Sequence, residues 1–362
     1  MHAMRIGFDA SPSHDHASRG LARVVRETLA ALERTSEPGL EVVRLLPASD
    51  RDFTHARWRR ELGALVRSQR LDGLHSFTSA FAWRAGVPSV QTIHELPWRH
   101  GERENAGLAH KLWARGGPLF AARIATATEH TARDVRAAAP WSARRVRVIP
   151  WGVGPPFAPE SPPGAVDEPV LRKYRLGEDP IALCLGGARA KKRCADFLRG
   201  VRAWRATHKR RLQIVVTGSD GPALRSLLGL ASQLGLAGEV AWVERIDELD
   251  LAPLLRLSSV VPLLSRSEGF GLPVLEALAC GTPVLVPPST AQAEVAGDAA
   301  IHCDPGEPES VAAALARALD EREALRFTLP ERAAQFPWSR SADGIRALWR
   351  ELRNERGAER AR

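Results

Sequence analysis

Tyrosine and lysine are almost missing from this chain: one tyrosine and five lysines stand among 362 residues, and arginine carries nearly all of the positive charge. The formal net charge is +9, so the surface suits nucleic acid, an anionic membrane or an anionic small substrate. A single tyrosine and the lack of a basic-aromatic binding motif argue against nucleic acid. No apolar run reaches about 18 residues, which excludes a transmembrane helix, and Met1-His-Ala-Met-Arg-Ile-Gly-Phe8 lacks the apolar core of a signal peptide. Met1 to Ala3 read as a cloning remnant before a natural start at Met4. Cysteines are few, and Cys184, Cys194, Cys280 and Cys303 show neither a CxxC pair nor Cys/His ligand spacing. A reduced, cytoplasmic protein without a structural metal is expected.

What is present is alternation. The length suggests two domains of similar size. Short apolar runs alternate with longer amphipathic ones, the pattern of parallel-sheet units. Strands are expected at Arg5–Asp9, Glu41–Leu46, Gly73–Phe77, Pro88–Ile93, Ile124–Ala127 and Arg147–Ile149, with a helix over Leu21–Glu33. A proline-rich passage, Pro150–Pro156 and then Pro159–Pro169, sustains neither a helix nor a central strand and reads as a linker. The alternation restarts with strands near 181–185, 212–217, 240–243, 259–263, 283–286 and 300–302, helices near 194–207, 222–234 and 310–320, and a further segment at 249–257 whose type is left open. The expected fold is α/β, two doubly wound domains whose ligands lie beyond the carboxyl ends of the strands and in a cleft between them. Arg57-Trp-Arg-Arg60, followed by Leu62, Leu65 and Val66, reads either as an amphipathic face resting on anionic lipid or as a solvated helix face. Leu352–Arg362 reads as a frayed basic tail.

The most informative stretch is Ser265–Pro287, where Glu268 and Glu276 stand on either side of a glycine loop that runs into a short helix. Gly269 and Gly271 let the backbone turn tightly and approach a ligand. Pro273 suits the first helical position and Gly281 the residue just past the end, which predicts a helix over 273–280. Its free N–H groups and positive dipole end make an anion site fit for nucleotide phosphates. Two acceptor-only carboxylates so placed can take hydrogen bonds from sugar hydroxyls. Alternatively, Glu276 only favours the helix dipole and Glu268 is solvated.

Further segments extend the pattern. Ser18-Arg-Gly-Leu-Ala-Arg23, Thr92-Ile-His-Glu-Leu96, Thr128-Glu-His-Thr131, Ile149-Pro-Trp-Gly-Val153 and Leu185-Gly-Gly-Ala-Arg-Ala-Lys-Lys-Arg193 precede Glu268-Gly-Phe-Gly-Leu-Pro-Val-Leu-Glu276. Gly281-Thr-Pro-Val284, Ala293-Glu-Val-Ala-Gly-Asp-Ala299 and Phe336-Pro-Trp-Ser339 follow it. In that order they resemble glycosyltransferase family 4, retaining nucleotide-sugar enzymes of GT-B fold with an E-x7-E signature. The resemblance implies an N-terminal acceptor-side domain at 4–155, a nucleotide-sugar-binding domain at 165–335, a helix of about 337–355 crossing back to the first domain, and a basic tail at 356–362.

It also implies roles. Glu276 would bind the nucleotide ribose and Glu268 the donor sugar, with the backbone of Gly269, Phe270, Gly271 and Leu272 facing sugar and phosphates. Lys192 would meet the diphosphate, with Lys191 and Arg189 next in line, and a lysine there is a mobile point charge that can follow the leaving group. His94 would face the donor sugar from the N-terminal domain, Gly20 would let a loop approach the reacting centre, and Gly218 would lie by the nucleobase. Many family members carry an arginine where this chain has Gly187, so the usual Arg plus Lys pair is in doubt and Arg189 or Lys191 would substitute. The implied activity is a metal-independent, retaining hexosyltransferase of mannosyl, glucosyl or rhamnosyl type. It would use a GDP-, UDP- or dTDP-linked sugar as co-substrate, need no cofactor, and act on a glycan or lipid-linked acceptor at the inner membrane face. A GT-B nucleotide-sugar epimerase or a catalytically silent sugar-nucleotide binder are the alternatives.

Overall fold

A computed structural model describes residues 3–13, 19–35, 37–47, 54–77, 85–102, 107–161 and 167–360, the last five and Arg19 without their side chains. Ser18 of the first glycine motif lies outside these residues. The chain forms two compact units, 1–152 with 337–362, and 153–336.

The first unit is a parallel sheet with the order β2-β1-β3-β4-β5-β6. Its strands are β1 (Met4–Asp9), β2 (Leu40–Leu45), β3 (Gly73–Ser76), β4 (Ser89–Thr92), β5 (Arg123–Thr126) and β6 (Val146–Val148). Strands β3, β4 and β5 are buried along their whole length, as a sheet covered on both faces requires. The covering helices are α1 (Arg19–Arg34), α2 (His55–Ser68), α3 (Leu108–Phe120) and α4 (Glu129–Ala138). Thr54 and Thr128 cap α2 and α4, their hydroxyls accepting from the N–H groups of Arg57 and Thr131. Trp58, Leu62 and Val66 of α2 pack with Leu45, Leu71 and Leu74 in the core. The apolar face of Arg57–Val66 is therefore spent inside the unit, which corrects the reading of it as a lipid-facing surface.

The second unit opens with α5 (Glu168–Lys173), so the proline passage ends earlier than expected. Pro169 sits in the first turn of α5, where a missing N–H is tolerated, and Asp167 takes two hydrogen bonds from the Arg256 guanidinium at 2.6 and 2.7 Å. Then come β7 (Ile181–Cys184), α6 (Cys194–Thr207), β8 (Gln213–Thr217), α7 (Pro222–Gln233), β9 (Val240–Val243), α8 (Glu248–Leu257) and β10 (Val261–Pro262). They are followed by α9 (Leu272–Ala279), β11 (Val284–Val286), α10 (Ala291–Ala296), β12 (Ile301–His302), α11 (Pro308–Asp320) and α12 (Arg322–Ala334). Strands β9-β8-β7 and β10-β11-β12 pair in parallel. The two sets are stitched where Leu183 N–H donates to Val260 O at 3.0 Å and Val260 N–H to Ile181 O at 3.2 Å. Gly281, with φ of +73°, ends α9 in the left-handed conformation expected of it. All four cysteines are free and buried, and burial pushes the Cys280 and Cys303 thiols up to about 12.

The chain then returns to the first unit as α13 (Trp338–Arg360). This helix runs about five residues past the expected end, and the turns just before that end are anchored. Leu352 is buried, and Arg123 of β5 donates to both Glu351 and Glu355. Trp349 is fully buried, its indole N–H donating to His75 Nδ1 at 3.4 Å. Gly73 lets it lie against β3, since a Cβ there would come within 2.5 Å of the indole.

Trp349→Ala should therefore cost about 3–5 kcal/mol, the usual toll of emptying a large aromatic site. Urea unfolding should show this as a lower midpoint at unchanged slope. A loss below about 1 kcal/mol, which is within reach of an ordinary surface substitution, would mean that α13 contributes little to the first unit's core.

Candidate functional site

In the second unit the strand order reverses between β7 and β10, and at such a reversal the loops leaving the two carboxyl ends diverge and open a crevice. Those two loops carry the basic and acidic residues of the sequence motifs. The first, after β7, is fixed by Thr217 at the end of β8, whose hydroxyl accepts from Gly186 N–H at 2.7 Å and whose carbonyl accepts from Ala188 N–H at 3.1 Å. Gly218, the next residue, accepts the Trp242 indole N–H through its carbonyl at 2.8 Å.

The loop then delivers its three cations. Lys192 Nζ donates to Glu268 Oε1 at 2.7 Å, and Lys191 Nζ lies 3.8 Å from the same oxygen. Arg189 is exposed, its guanidinium over Gly186: Arg189 Nη2 and Lys192 Cε lie 3.4 and 3.6 Å from where a Cβ on that glycine would sit. Burial alone would raise the Glu268 pKa, but Lys192 and Lys191 outweigh it and hold the carboxyl below the ordinary range. Gly187 faces back onto the strand end. A Cβ there would stand 3.0 Å from Cys184 Cβ and carbonyl oxygen and 3.3 Å from Cys194 Sγ, so any side chain at this position crowds the strand end.

The second loop, after β10, holds Glu268, Gly269 and Phe270 and enters α9 through Gly271. That glycine has φ of +89°, and a Cβ on it would lie 2.9 Å from Gln292 Cγ. With its amide oriented to satisfy its surroundings, Gln292 donates to Leu263 O at 3.0 Å and Ser265 O at 3.1 Å, holding the loop from α10. Phe270 and Leu272 are buried, and Glu276 is 4% exposed one turn into α9. The helix end offers fewer donors than expected. Pro273 has no N–H, and the Val274 N–H is taken by Gly271 O at 2.8 Å.

In the first unit, His94 follows β4. Its Nε2 faces the Phe77 carbonyl at 3.0 Å and burial lowers its pKa, so the ring is neutral, with the proton on Nε2 and an acceptor at Nδ1. Its ring centroid lies 6.0 Å from that of Trp151. Gly20 differs from expectation: it stands in the first turn of α1, not in a loop, and among the described residues no atom comes within 4 Å of a Cβ built on it.

Sequence reasoning missed several polar groups. Gln292 and Thr217 position the two loops, and only the motif neighbours Ala293–Ala299 and Thr217–Ser219 pointed near them. In the first unit, Asp9 ends β1 fully buried and accepts from Ser11 Oγ at 2.7 Å and Trp58 Nε1 at 2.9 Å. A carboxylate closing an apolar strand was its one visible signal. Among the described residues, one group of side chains could hold a metal ion, His100, His130 and Asp134, although Asp134 already accepts from Arg99 at 3.0 Å and lies 2.6 Å from His100. Spacing did not show it, because a turn after β4 and the helix α4 bring it together.

Comparison with known proteins agrees with the motif order. The family described as glycosyl transferases group 1 matches residues 168–335, and glycosyltransferase family 4 matches residues 15–155. The O-antigen chain mannosyltransferase B of Escherichia coli is 29% identical over 185 residues, 50% of this chain and 48% of that protein. The D-inositol 3-phosphate glycosyltransferase of Nocardiopsis dassonvillei is 31% identical over 307 residues, 77% and 68% of the two chains. Sucrose-phosphate synthase from Thermosynechococcus elongatus, at 19% identity, superposes with a TM-score of 0.76 over 97% of this chain and 100% of that one. The chain belongs to glycosyltransferase family 4, group 1 type, and its fold is GT-B. Its match spans about half the length of the E. coli relative.

The depressed Glu268 pKa sets a pH dependence. A carboxyl lowered by folding stabilises above its unfolded pKa, and that contribution is lost as pH falls through the folded value. Urea-unfolding free energy measured from pH 7 down to 3 should fall more steeply for the wild type than for Glu268→Gln. Parallel curves would show that the Lys192–Glu268 pair carries no such term.

Proposed function

We propose that this protein transfers a hexosyl group, of mannosyl, glucosyl or rhamnosyl type, from a nucleoside diphosphate sugar to an acceptor hydroxyl with retention of configuration. The observation that carries the reading is the convergence of Lys191, Lys192 and Glu268 at the β7–β10 reversal, with Glu276 buried one turn into the adjoining helix. The diphosphate would draw Lys192, with Arg189 and Lys191 beside it, and this frees Glu268 Oε1 to accept from donor-sugar hydroxyls. Glu276 would take the ribose hydroxyls. The backbone of Gly269, Phe270, Gly271 and Leu272 would line the sugar and phosphates, and Gly218 the nucleobase. Arg189 replaces the arginine that Gly187 lacks.

In the reaction the bond from the anomeric carbon to the diphosphate oxygen breaks, and a bond to the acceptor oxygen forms on the same face. The acceptor proton passes to the β-phosphate of the departing nucleotide. Positive charge fixed where negative charge grows supplies the stabilisation, and it needs no metal. His94, neutral and with Nδ1 as an acceptor, would serve a donor-sugar hydroxyl, and Gly20 would leave room for the reacting centre. The acceptor is a glycan or a lipid-linked glycan of cell-surface synthesis, and the reaction runs in the cytoplasm.

Lys192→Ala and Glu276→Ala should keep the circular dichroism of the wild type, with a lower melting point for Lys192→Ala as the pair with Glu268 is lost, and lose about 100-fold or more in turnover, the usual loss when one charge-stabilising group is removed. A panel of GDP-, UDP- and dTDP-sugars identifies the donor, and the anomeric proton coupling of the product should match that of the donor. Wild-type turnover in either variant, or an inverted product, sinks the reading.

A further inference from the structure

One cluster of metal-ligating side chains lies outside the β7–β10 crevice. His100, His130 and Asp134 each offer a ligand atom within 4.8 Å of the other two, and all three are half-buried, so an ion can enter from solution. Two of them share a helix: His130 and Asp134 stand four residues apart in α4, which makes them neighbours on one side of it. The third arrives from the chain after β4. His100 closes the helical turn Pro97–His100, and Gly101, left-handed at φ of +76°, turns the chain away behind it. The His100 and His130 rings stand 5.1 Å apart between centres and 23° from parallel.

The carboxylate is held as a ligand needs to be. Arg99 donates to Asp134 Oδ1 at 3.0 Å, which leaves the other oxygen, Oδ2, facing His100 Nε2 at 2.6 Å. Metal-bound carboxylates are ordinarily oriented by such a neighbour on the second oxygen. Between Oδ2 and Nε2 a proton and a metal ion are alternatives. Exchanging one for the other requires the proton to leave and the two atoms to part to about 3.3 Å, the separation of ligand atoms around a tetrahedral zinc ion. That is a side-chain movement of less than 1 Å from the 2.6 Å pair, and the third ligand comes from the same face of α4.

We propose that His100, His130 and Asp134 bind a zinc-class divalent ion through two imidazole nitrogens and one carboxylate oxygen, with water in the fourth place. Two imidazoles select such an ion over Mg²⁺ and Ca²⁺, which take oxygen ligands. Arg99 and the positive end of α4 oppose a cation, which places the affinity in the micromolar range. The ion serves as a brace between the turn after β4 and α4. Thr131, beside His130, already donates through its hydroxyl to His94 O at 3.4 Å, so segment 94–100 is then held to α4 at both ends. The inference goes beyond the glycosyl-transfer reading and does not rest on it, since no step of that reaction is routed through the ion.

The test is zinc binding by the full chain, stripped with EDTA and dialysed, at about pH 7.5, where imidazole is largely free of its proton. Isothermal titration should give one zinc per chain with a micromolar Kd and no binding of Mg²⁺ or Ca²⁺, and Co²⁺ should develop the intense visible band of a four-coordinate ion. Saturating zinc should raise the melting temperature by about 3 °C or more. His130→Gln removes one ligand, and Asp134→Asn keeps the shape of its residue while removing the anionic one; each should weaken zinc binding by about tenfold or more. His302→Gln, at an exposed position of the second unit, should bind as the wild type does. If one ligand variant fails to fold, the other decides. The proposal is overturned by no zinc binding at about 100 μM, by a Kd unchanged within about threefold in the ligand variants, or by an equal loss in the His302 variant, which would mark scattered surface histidines as the binder.

Discussion

The site in the second unit depends on one stitch in its sheet, the pair of backbone bonds by which β7 and the strand after α8 run side by side. A parallel sheet sends all its carboxyl ends to the same edge, and where the order reverses the connections leave in opposite directions. That is why Lys192, eight residues beyond Cys184, meets Glu268, six residues beyond Pro262, although 76 positions separate them. Neither loop needs to be long. Thr217 ties down the first and Gln292 the second, and the crevice is left between loops that their neighbours already hold.

A carboxylate set against two largely buried lysines takes three charges out of water at once. Desolvating three charges costs more than their mutual attraction returns unless geometry and further bonds compensate, so such a cluster is a poor device for stability alone. It is a good device for an anion. In the proposed reading an anion beside Lys192 would draw it away, and the carboxylate so released would accept from hydroxyls. The Glu268 pKa, pulled down by the lysines against the push of burial, records the lysines' hold on it.

The strands and their order of appearance were legible because fully buried parallel strands read as short apolar runs, and every strand expected is present within a residue or two, although the one expected near 259–263 narrows to the two residues of β10. The helix after Gly271 was legible from Pro273 and Gly281, two residues whose backbone preferences need no tertiary context. What escaped was set by partners distant in sequence. Arg123 holds α13 near Glu355, and the start of α5 rests on a proline tolerated only at its first turn. The exposed leucines of α3, Leu108, Leu112 and Leu119, were passed over while Arg57–Val66 attracted notice. Both stretches are amphipathic, and only the sheet decides which apolar face goes inward: α2 buries Trp58 and Leu62, whereas α3 buries Trp113 and leaves its leucines out.

The departure at Gly187 has a physical account. Many family members carry an arginine there, yet a side chain at this position would press on Cys184 and Cys194. Those two buried thiols belong to one core cluster at the strand end and the first turn of α6, so a side chain at 187 would crowd them. The positive charge sits two residues later. Arg189 begins the short helical turn Ala190–Lys192 and folds its guanidinium back over Gly186, reaching the loop from the solvent side. In the proposed reading this fork of donors would face the diphosphate from outside the crevice, while the inner position goes to packing. An arginine grafted at 187 would first have to push back the Cys184 and Cys194 side chains.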